Sequence, residues 1–469
     1  MKKHYLFSSA ICLLAMTGTS ASAQQVDTSK PLPLKVEYFK TTDNGSTWTK
    51  EREETYTRDK AGNILTESGV QYDPEVKYSY IYNYDERGNM IERITYIGDI
   101  PNERFIQSYD DPILKDFRTS NSTYDYDKDK GDWCDTPCDE TTYSITRNTD
   151  GNITNVKYAL LMDNGNYTYQ WDMTTSYNPE TKQISQVVQK NKGYSYYKLG
   201  VAKKWYKTNG QLYDLGRAFS TSISLDEDED NQLAEGTLYF MDSKTDAWTR
   251  KDEIIVDYKS DGSYIKTIVS SDGTLTTISK SVDEDKEWYL EDSFKDKNSD
   301  NAYTLDEMTS ETEIIIKNIN GRRCQTLLQQ SMYNDNGDKE VYSTAWAYNE
   351  YGDNTYSLYR YSQDNGETWE IRQATSHTLE YDNNTGAKLS DTYEEYNKDA
   401  KQYEKKSKMV FSNFVDYSTP IVATPTDAED ISRVYNMQGV CLGDNLDGLP
   451  AGMYIVKQGV KTKKVVKKN

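Results

Sequence analysis

From Tyr78 to Tyr84 every second residue is a tyrosine, with Ser79, Ile81 and Asn83 between them. A period of two puts these sets on opposite faces of an extended strand. Beyond the next glycine, Met90, Ile94 and Tyr96 again share a side, which Glu92 interrupts. Ile254-Ile255-Val256 and the run Tyr264 to Val269 supply the branched and aromatic residues that suit a pleated surface. No long window places apolar residues at helical spacing. The pattern predicts an all-β protein.

Between these segments one short unit recurs: an aromatic strand end, then Asp or Asn, two variable residues, and Gly. It runs Asp59 to Gly62, Asp85 to Gly88, Asn148 to Gly151, Asn318 to Gly321, Asn334 to Gly337 and Asn349 to Gly352. Looser copies end at Gly210, Gly262 and Gly273, and Tyr72-Asp73-Pro74-Glu75 and Tyr177-Asn178-Pro179-Glu180 are proline variants. Asp or Asn at the head of a type I turn accepts a hydrogen bond from the backbone two residues on. Gly at the fourth place takes the positive φ that lets the strands pair through a bulge. Each copy therefore predicts a hairpin.

A reversal about every fifteen residues leaves strands of about 8–12, longer than the usual ~5–6. That length favours a long antiparallel meander of hairpins forming a curved sheet, roll or barrel-like body. A β-propeller, whose blades use shorter strands, is the alternative. An outer-membrane barrel needs an unbroken apolar face toward lipid. Glu92, Arg93, Lys266 and Arg360 fall on both strand faces, which argues against it. The N-terminal apolar run Leu6 to Met16 is too short for a membrane span, and no later stretch reaches that length.

The turns resemble the YD repeats of RHS-type proteins and the Tyr-Asp-rich domains of secreted Bacteroidetes proteins with a soluble porin-like fold. The resemblance covers most of residues 38 to 410. Here Gly is followed by Asn or another polar residue as often as by the Arg-Leu of typical YD repeats, so a toxin-shell role is not implied. A second turn type is interleaved. Thr41 to Trp48 and Ser362 to Trp369 are similar to the Asp-box of sialidase-like propellers, and Ser281 to Trp288 is a degenerate copy. The resemblance implies structural hairpins in which Asp43 and Asp364 tie the loop, Gly45 and Gly366 turn it, and Trp48 and Trp369 pack beneath.

The two ends read as delivery signals. Lys2, Lys3 and His4, the apolar run, and Ala21-Ser22-Ala23 form a secretory signal peptide over residues 1–23. A Tyr-rich repeat domain then spans 24–417, a Pro/Thr linker 418–427, and a terminal module 428–469. That module carries Val434-Tyr435-Asn436-Met437-Gln438-Gly439 and Gly448-Leu449-Pro450-Ala451-Gly452-Met453-Tyr454 before a lysine-rich end. It resembles the C-terminal sorting domain of type IX secretion cargo. The resemblance implies export to the cell surface or medium, with Gly439, Gly448, Pro450, Gly452 and Tyr454 in the signal and the type IX machinery as partner.

Composition narrows the chemistry. The 469 residues hold 76 Asp and Glu against 55 Lys and Arg, a net charge of −21, which repels nucleic acid. Aliphatic content is low, but 41 tyrosines and 8 tryptophans can still build a core. Cys134 and Cys138 enclose three residues; export would permit a disulfide, and two separate thiols are the other reading. His377 is the only histidine left after processing, which argues against both a nucleophilic triad and a zinc site. It alternates with Thr375, Leu379 and Tyr381 as a packed strand residue would. Asp127-x-Asp129-x-Gly131-Asp132 opens like a calcium loop, but Pro137 stands where the bidentate Glu belongs. Asp226 to Asp230 reads as a solvated acidic loop. No cofactor is expected.

Three expectations remain. The first is a secreted or surface, non-catalytic β-repeat protein that engages a glycan or a host or bacterial surface protein. The second is a carbohydrate-active enzyme on a propeller, with two carboxylates flanking the scissile bond. The third is a purely structural surface protein.

Overall fold

The computed structural model describes residues 30–417 apart from 163–166, 193–195, 226, 243–244, 298–302 and 335–336, together with the backbone of four short strands between 432 and 467. The chain divides into two compact units, Met1–Tyr417 and Ser418–Asn469.

In the first unit the strands pair antiparallel in chain order, save one two-residue strand that bonds only to the strand before it, and the sheet then closes on itself. The first strand, Leu32–Lys40, pairs with the last, Gln402–Val415, from Leu32 opposite Val415 to Lys40 opposite Ser407. The sheet counts 25 strands, but the two-residue Asp132–Trp133 bonds only to Ser120–Asp127, so 24 form the ring. This is a barrel. The propeller alternative fails because one continuous ladder replaces separate blades. The 24 ring strands run from 7 residues (Tyr264–Ser270) to 14 (Gln402–Val415), bracketing the lengths that the turn spacing predicts.

The turns are built as their residues dictate. Asp59 Oδ1 accepts from the N–H groups of Ala61 and Asn63, the N–H of Gly62 returns to the Asp59 carbonyl, and Gly62 sits at φ +86°. Asp85, Asn148 and Asn349 repeat these bonds, with Gly88, Gly151 and Gly352 at positive φ. Following the meander, the turns at Gly62, Gly88, Gly151, Gly262, Gly321 and Gly352 lie at one end of the ring. Those holding Asp43, Gly273, Gly337 and Asp364 lie at the other.

Register carries one face unbroken around the ring, and the apolar core sits on it. Val156, Met173, Val187, Ile254, Ile268 and Ile278 are its floor, each 2% exposed or less. Its roof is the excursion from Thr208 to Asn231, which leaves the first end and folds back over the strands. Leu212, Leu215 and Phe219 of this segment are all buried. A short helix, Leu215–Ala218, is capped by Asp214, whose carboxylate accepts from the Gly216 N–H. The sheet makes room for it with glycine: a Cβ on Gly200 would stand 2.8 Å from the Phe219 ring.

The second unit is a four-stranded antiparallel sheet in the order Cys441–Gly443, Ser432–Tyr435, Gly452–Gln458, Lys461–Lys467.

Candidate functional site

The seam between first and last strands ends beside a cavity of ≈ 310 Å³ at the end of the ring that carries Gly352. The turn Asn349 to Gly352 builds one wall. Gly352 at φ +77° separates Tyr351 from Asp353 so that both line the cavity. Asn349 donates through Nδ2 to the Tyr381 hydroxyl at 2.7 Å, and that hydroxyl donates to Asp353 Oδ2 at 2.5 Å. The Tyr351 and Tyr381 rings lie 4.4 Å apart. Lys388 closes on Asp353 Oδ1 at 2.9 Å, and Lys30 Nζ sits 3.9 Å from the Tyr351 ring centre. Arg322 completes the cationic side, and Phe411 and Phe414 supply apolar floor.

Charge in this cavity runs against the rest of the chain. Three cations, Lys30, Arg322 and Lys388, face one carboxylate. Burial alone would raise the Asp353 pKa, but the Tyr381 hydrogen bond and the charges of Lys388 and Arg322 outweigh it, holding the group below the usual carboxylate range. Burial, then the bond to Asp353, pushes the Tyr381 hydroxyl up. The site is an aromatic cleft with fixed charges.

A second polar cluster lies on the core face. Glu54, 5% exposed, receives the hydroxyls of Tyr38 (2.8 Å) and Tyr56 (2.6 Å) on Oε2 and that of Tyr78 (2.7 Å) on Oε1, which also lies 3.1 Å from Arg52 Nε. Glycine makes this geometry. Gly69 faces Glu54 on one side and Tyr78 on the other, and a Cβ there would meet the Tyr78 ring at 2.2 Å. Two residues along, the Glu67 pKa is raised to about 7 by burial and by the charge of Glu54. A carboxyl that titrates near neutrality beside an ionisable partner is the pattern of acid–base chemistry. Here both Glu54 oxygens are already engaged, so the arrangement braces the wall.

Glu67 carries a pH dependence. Its folded pKa lies above the ordinary 4.5, so the folded chain keeps a proton that the unfolded chain releases. Its contribution is complete below pH 4.5 and is lost as pH rises through about 7. After allowance for partial solvent screening, stability is expected to fall by about 1–3 kcal/mol from pH 4.5 to 8. Urea midpoints across that range should flatten in Glu67→Gln; an unchanged slope would place the titration elsewhere.

Thr47 donates to Asp43 through its N–H (2.8 Å) and its hydroxyl (2.6 Å), Thr41 donates at 2.7 Å, and Gly45 stands at φ +85°. Asp364 repeats the pattern with Thr368 and Ser362, and Gly366 again stands at φ +85°. The Thr hydroxyl bond, then the backbone bond, holds each aspartate pKa down at about 2. Trp48 lies against Gly45 and Trp369 against Gly366, with the Arg360 guanidinium 3.9 Å from the Trp369 ring. The degenerate copy departs from this: Asp283 pairs with Lys286 in a two-residue hairpin.

Cys134 and Cys138 stand as free thiols. The backbone N–H of Cys134 bonds to Asp125 and that of Cys138 to Thr123, so residues 135–137 loop out between two rungs of one strand. His377 Nδ1 lies 2.8 Å from Asp391 Oδ1, with its ring 5.3 Å from Tyr393. The Asp127 loop is a tight turn whose carboxylate accepts from the N–H groups of Asp129 and Lys130. Among the described residues no group of three His, Cys, Asp or Glu could hold a metal. The acidic run is not simply solvated, because Glu227 pairs with Lys280 at 3.3 Å. Gly452 and Tyr454 lie on the strand Gly452–Gln458, and Gly439, Gly448 and Pro450 lie outside the described residues.

Sequence reasoning missed the seam cavity and the Glu54 cluster. The one available signal for the latter was Gly69 within a strand, which marks a close approach of another group. The tyrosines at 78, 80 and 82 neighbour one another along their strand, at 5.7 and 6.2 Å.

No protein-family model matches the chain, and no curated protein matches it. Among solved structures it is similar to the Tc holotoxin pore of Photorhabdus luminescens, at 13% identity over 71% of this chain and 20% of that one, with a TM-score of 0.21. A TcdB2-TccC3-TEV structure is similar at 14% identity over 81% and 18%, TM-score 0.19. A porin-like protein from Bacteroides uniformis is similar at 12% identity over 64% and 95%, TM-score 0.20. The chain spans about a fifth of the first two of these chains. TM-scores of this size carry no argument about function.

Proposed function

We propose that the protein is a non-catalytic β-barrel, exported to the cell surface or medium, that binds a glycan at the seam cavity. The observation that carries this reading is the cleft of Tyr351, Tyr381, Phe411 and Phe414 rimmed by lysine and arginine. Aromatic faces stack on sugar rings, and fixed polar groups orient the hydroxyls. The saturated Glu54 carboxylate and His377, held on Asp391, supply no nucleophile–base pair. A glycan array probed with the purified full chain is expected to return a defined set of sugars. Binding that survives Tyr351→Ala and Tyr381→Ala would refute the site, and an empty array would refute the function.

Delivery rests on the two end signals. The sequence from Ala428 to Asn469 is proposed as the signal read by type IX machinery in a Bacteroidetes host. Removing it should strand the protein in the periplasm, as fractionation would show; unchanged surface delivery would refute the assignment.

A further inference from the structure

We propose that Lys30 is an internal competitor for the seam cavity: it caps the face of Tyr351 on which a sugar would stack, and a glycan must displace it to bind. The inference rests on the binding reading above and supplies the regulation of that site. Its ground is the occupancy of one ring. Tyr381 packs against Tyr351 with ring centres 4.4 Å apart and planes 34° from parallel. Lys30 Nζ stands over the same ring, 3.9 Å from its centre. Neighbours this close need opposite faces, so Tyr351 is covered on both sides.

The cap is built locally. Lys30 lies just ahead of the first strand, Leu32–Lys40, and its stem runs beside Gly386, which turns at φ +67°. A Cβ on Gly386 would stand 3.7 Å from Lys30 Cε and 3.7 Å from Tyr351 Cε1, so this glycine borders both partners. The cap is also weakly tied. Lys388 is anchored on Asp353 at 2.9 Å, whereas among the described residues no carboxylate pairs with Lys30. Its hold is the attraction of an ammonium for a π face, which is modest where water can reach the ammonium. A sugar ring offers that face its C–H groups, and the displaced ammonium regains its hydration. Only the uncapped fraction can stack a ligand, so the apparent affinity is reduced by that fraction. A lysine that instead gripped the ligand would act the other way, and its loss would weaken binding.

A dilution series of the purified full chain on the glycan array, run beside Lys30→Ala and Lys30→Arg, separates the two roles. Lys30→Ala is expected to bind the same sugars at about two- to tenfold lower protein concentration. Lys30→Arg, whose planar guanidinium stacks better on aromatic faces, should need more protein than the parent. Sugars captured by Lys30→Ala alone would also support the cap. Half-binding concentrations that stay level or rise in Lys30→Ala overturn the cap and leave the glycan reading standing, as does tighter binding by Lys30→Arg. An array empty for parent and Lys30→Ala alike overturns the glycan reading and this inference with it. The contact has a readout of its own that needs no sugar. With isotope-labelled lysine, the Lys30 ε-methylene resonance should lie upfield under the ring and return to the ordinary lysine position in Tyr351→Leu. A resonance that ignores that substitution overturns the cap.

Discussion

Replacing Glu54 by Ala is expected to cost about 3–5 kcal/mol of stability, read as a large drop in the denaturant midpoint. The carboxylate is 5% exposed and accepts from three tyrosines while pairing with Arg52. Removing it strands a half-buried guanidinium and three hydroxyls whose partners cannot be replaced by water at no cost. Glu54→Gln keeps an acceptor for some of these donors and should lose less. Triple replacement of Tyr38, Tyr56 and Tyr78 by Phe in the Glu54→Leu background removes donors and acceptor together, and should recover part of the loss. If Glu54→Ala unfolds at the parental midpoint, the cluster does not brace the wall.

The second large effect concerns the roof of the core. Phe219 is 3% exposed, stands edge-on to Trp205 at 6.3 Å, and fills the space above Gly200 and Gly236. Phe219→Ala should cost about 3–5 kcal/mol through lost burial and the cavity left behind. Gly200→Ala alone should also destabilise, because its Cβ would meet the ring at 2.8 Å. In the Phe219→Ala background the same methyl enters vacated space, so the two losses should not add. Additive losses in a thermal or denaturant series would show that the segment from Thr208 to Asn231 does not rest on these glycines.

The turns were legible in sequence because their causes are local. Asp59 reaches only to Asn63, and Gly62 needs a positive φ whatever surrounds it. The alternation of Tyr78 to Tyr84 was legible for the same reason, since a period of two requires no partner. Closure was not legible. Nothing in the alternation of Leu32–Lys40 names Gln402–Val415 as its neighbour, because backbone ladders are indifferent to sequence. The seam cavity was hidden likewise: Lys30, Arg322, Tyr351 and Lys388 come from four separate places in the chain. Glu54 was one of 76 acids, distinguished only by what folds over it. The excursion was not read from sequence: Leu212, Leu215 and Phe219 sit three and four apart, but over too few residues to set a helical period against the surrounding alternation.

Because Leu32–Lys40 bonds to Gln402–Val415, the ring cannot shut until residue 415 has been synthesised. Until then the growing polypeptide presents two raw borders of unpaired amides and carbonyls, the feature that drives strands of different molecules to join. A premature stop anywhere ahead of Gln402 leaves both borders open for good. Such fragments should clump while the finished molecule stays dispersed.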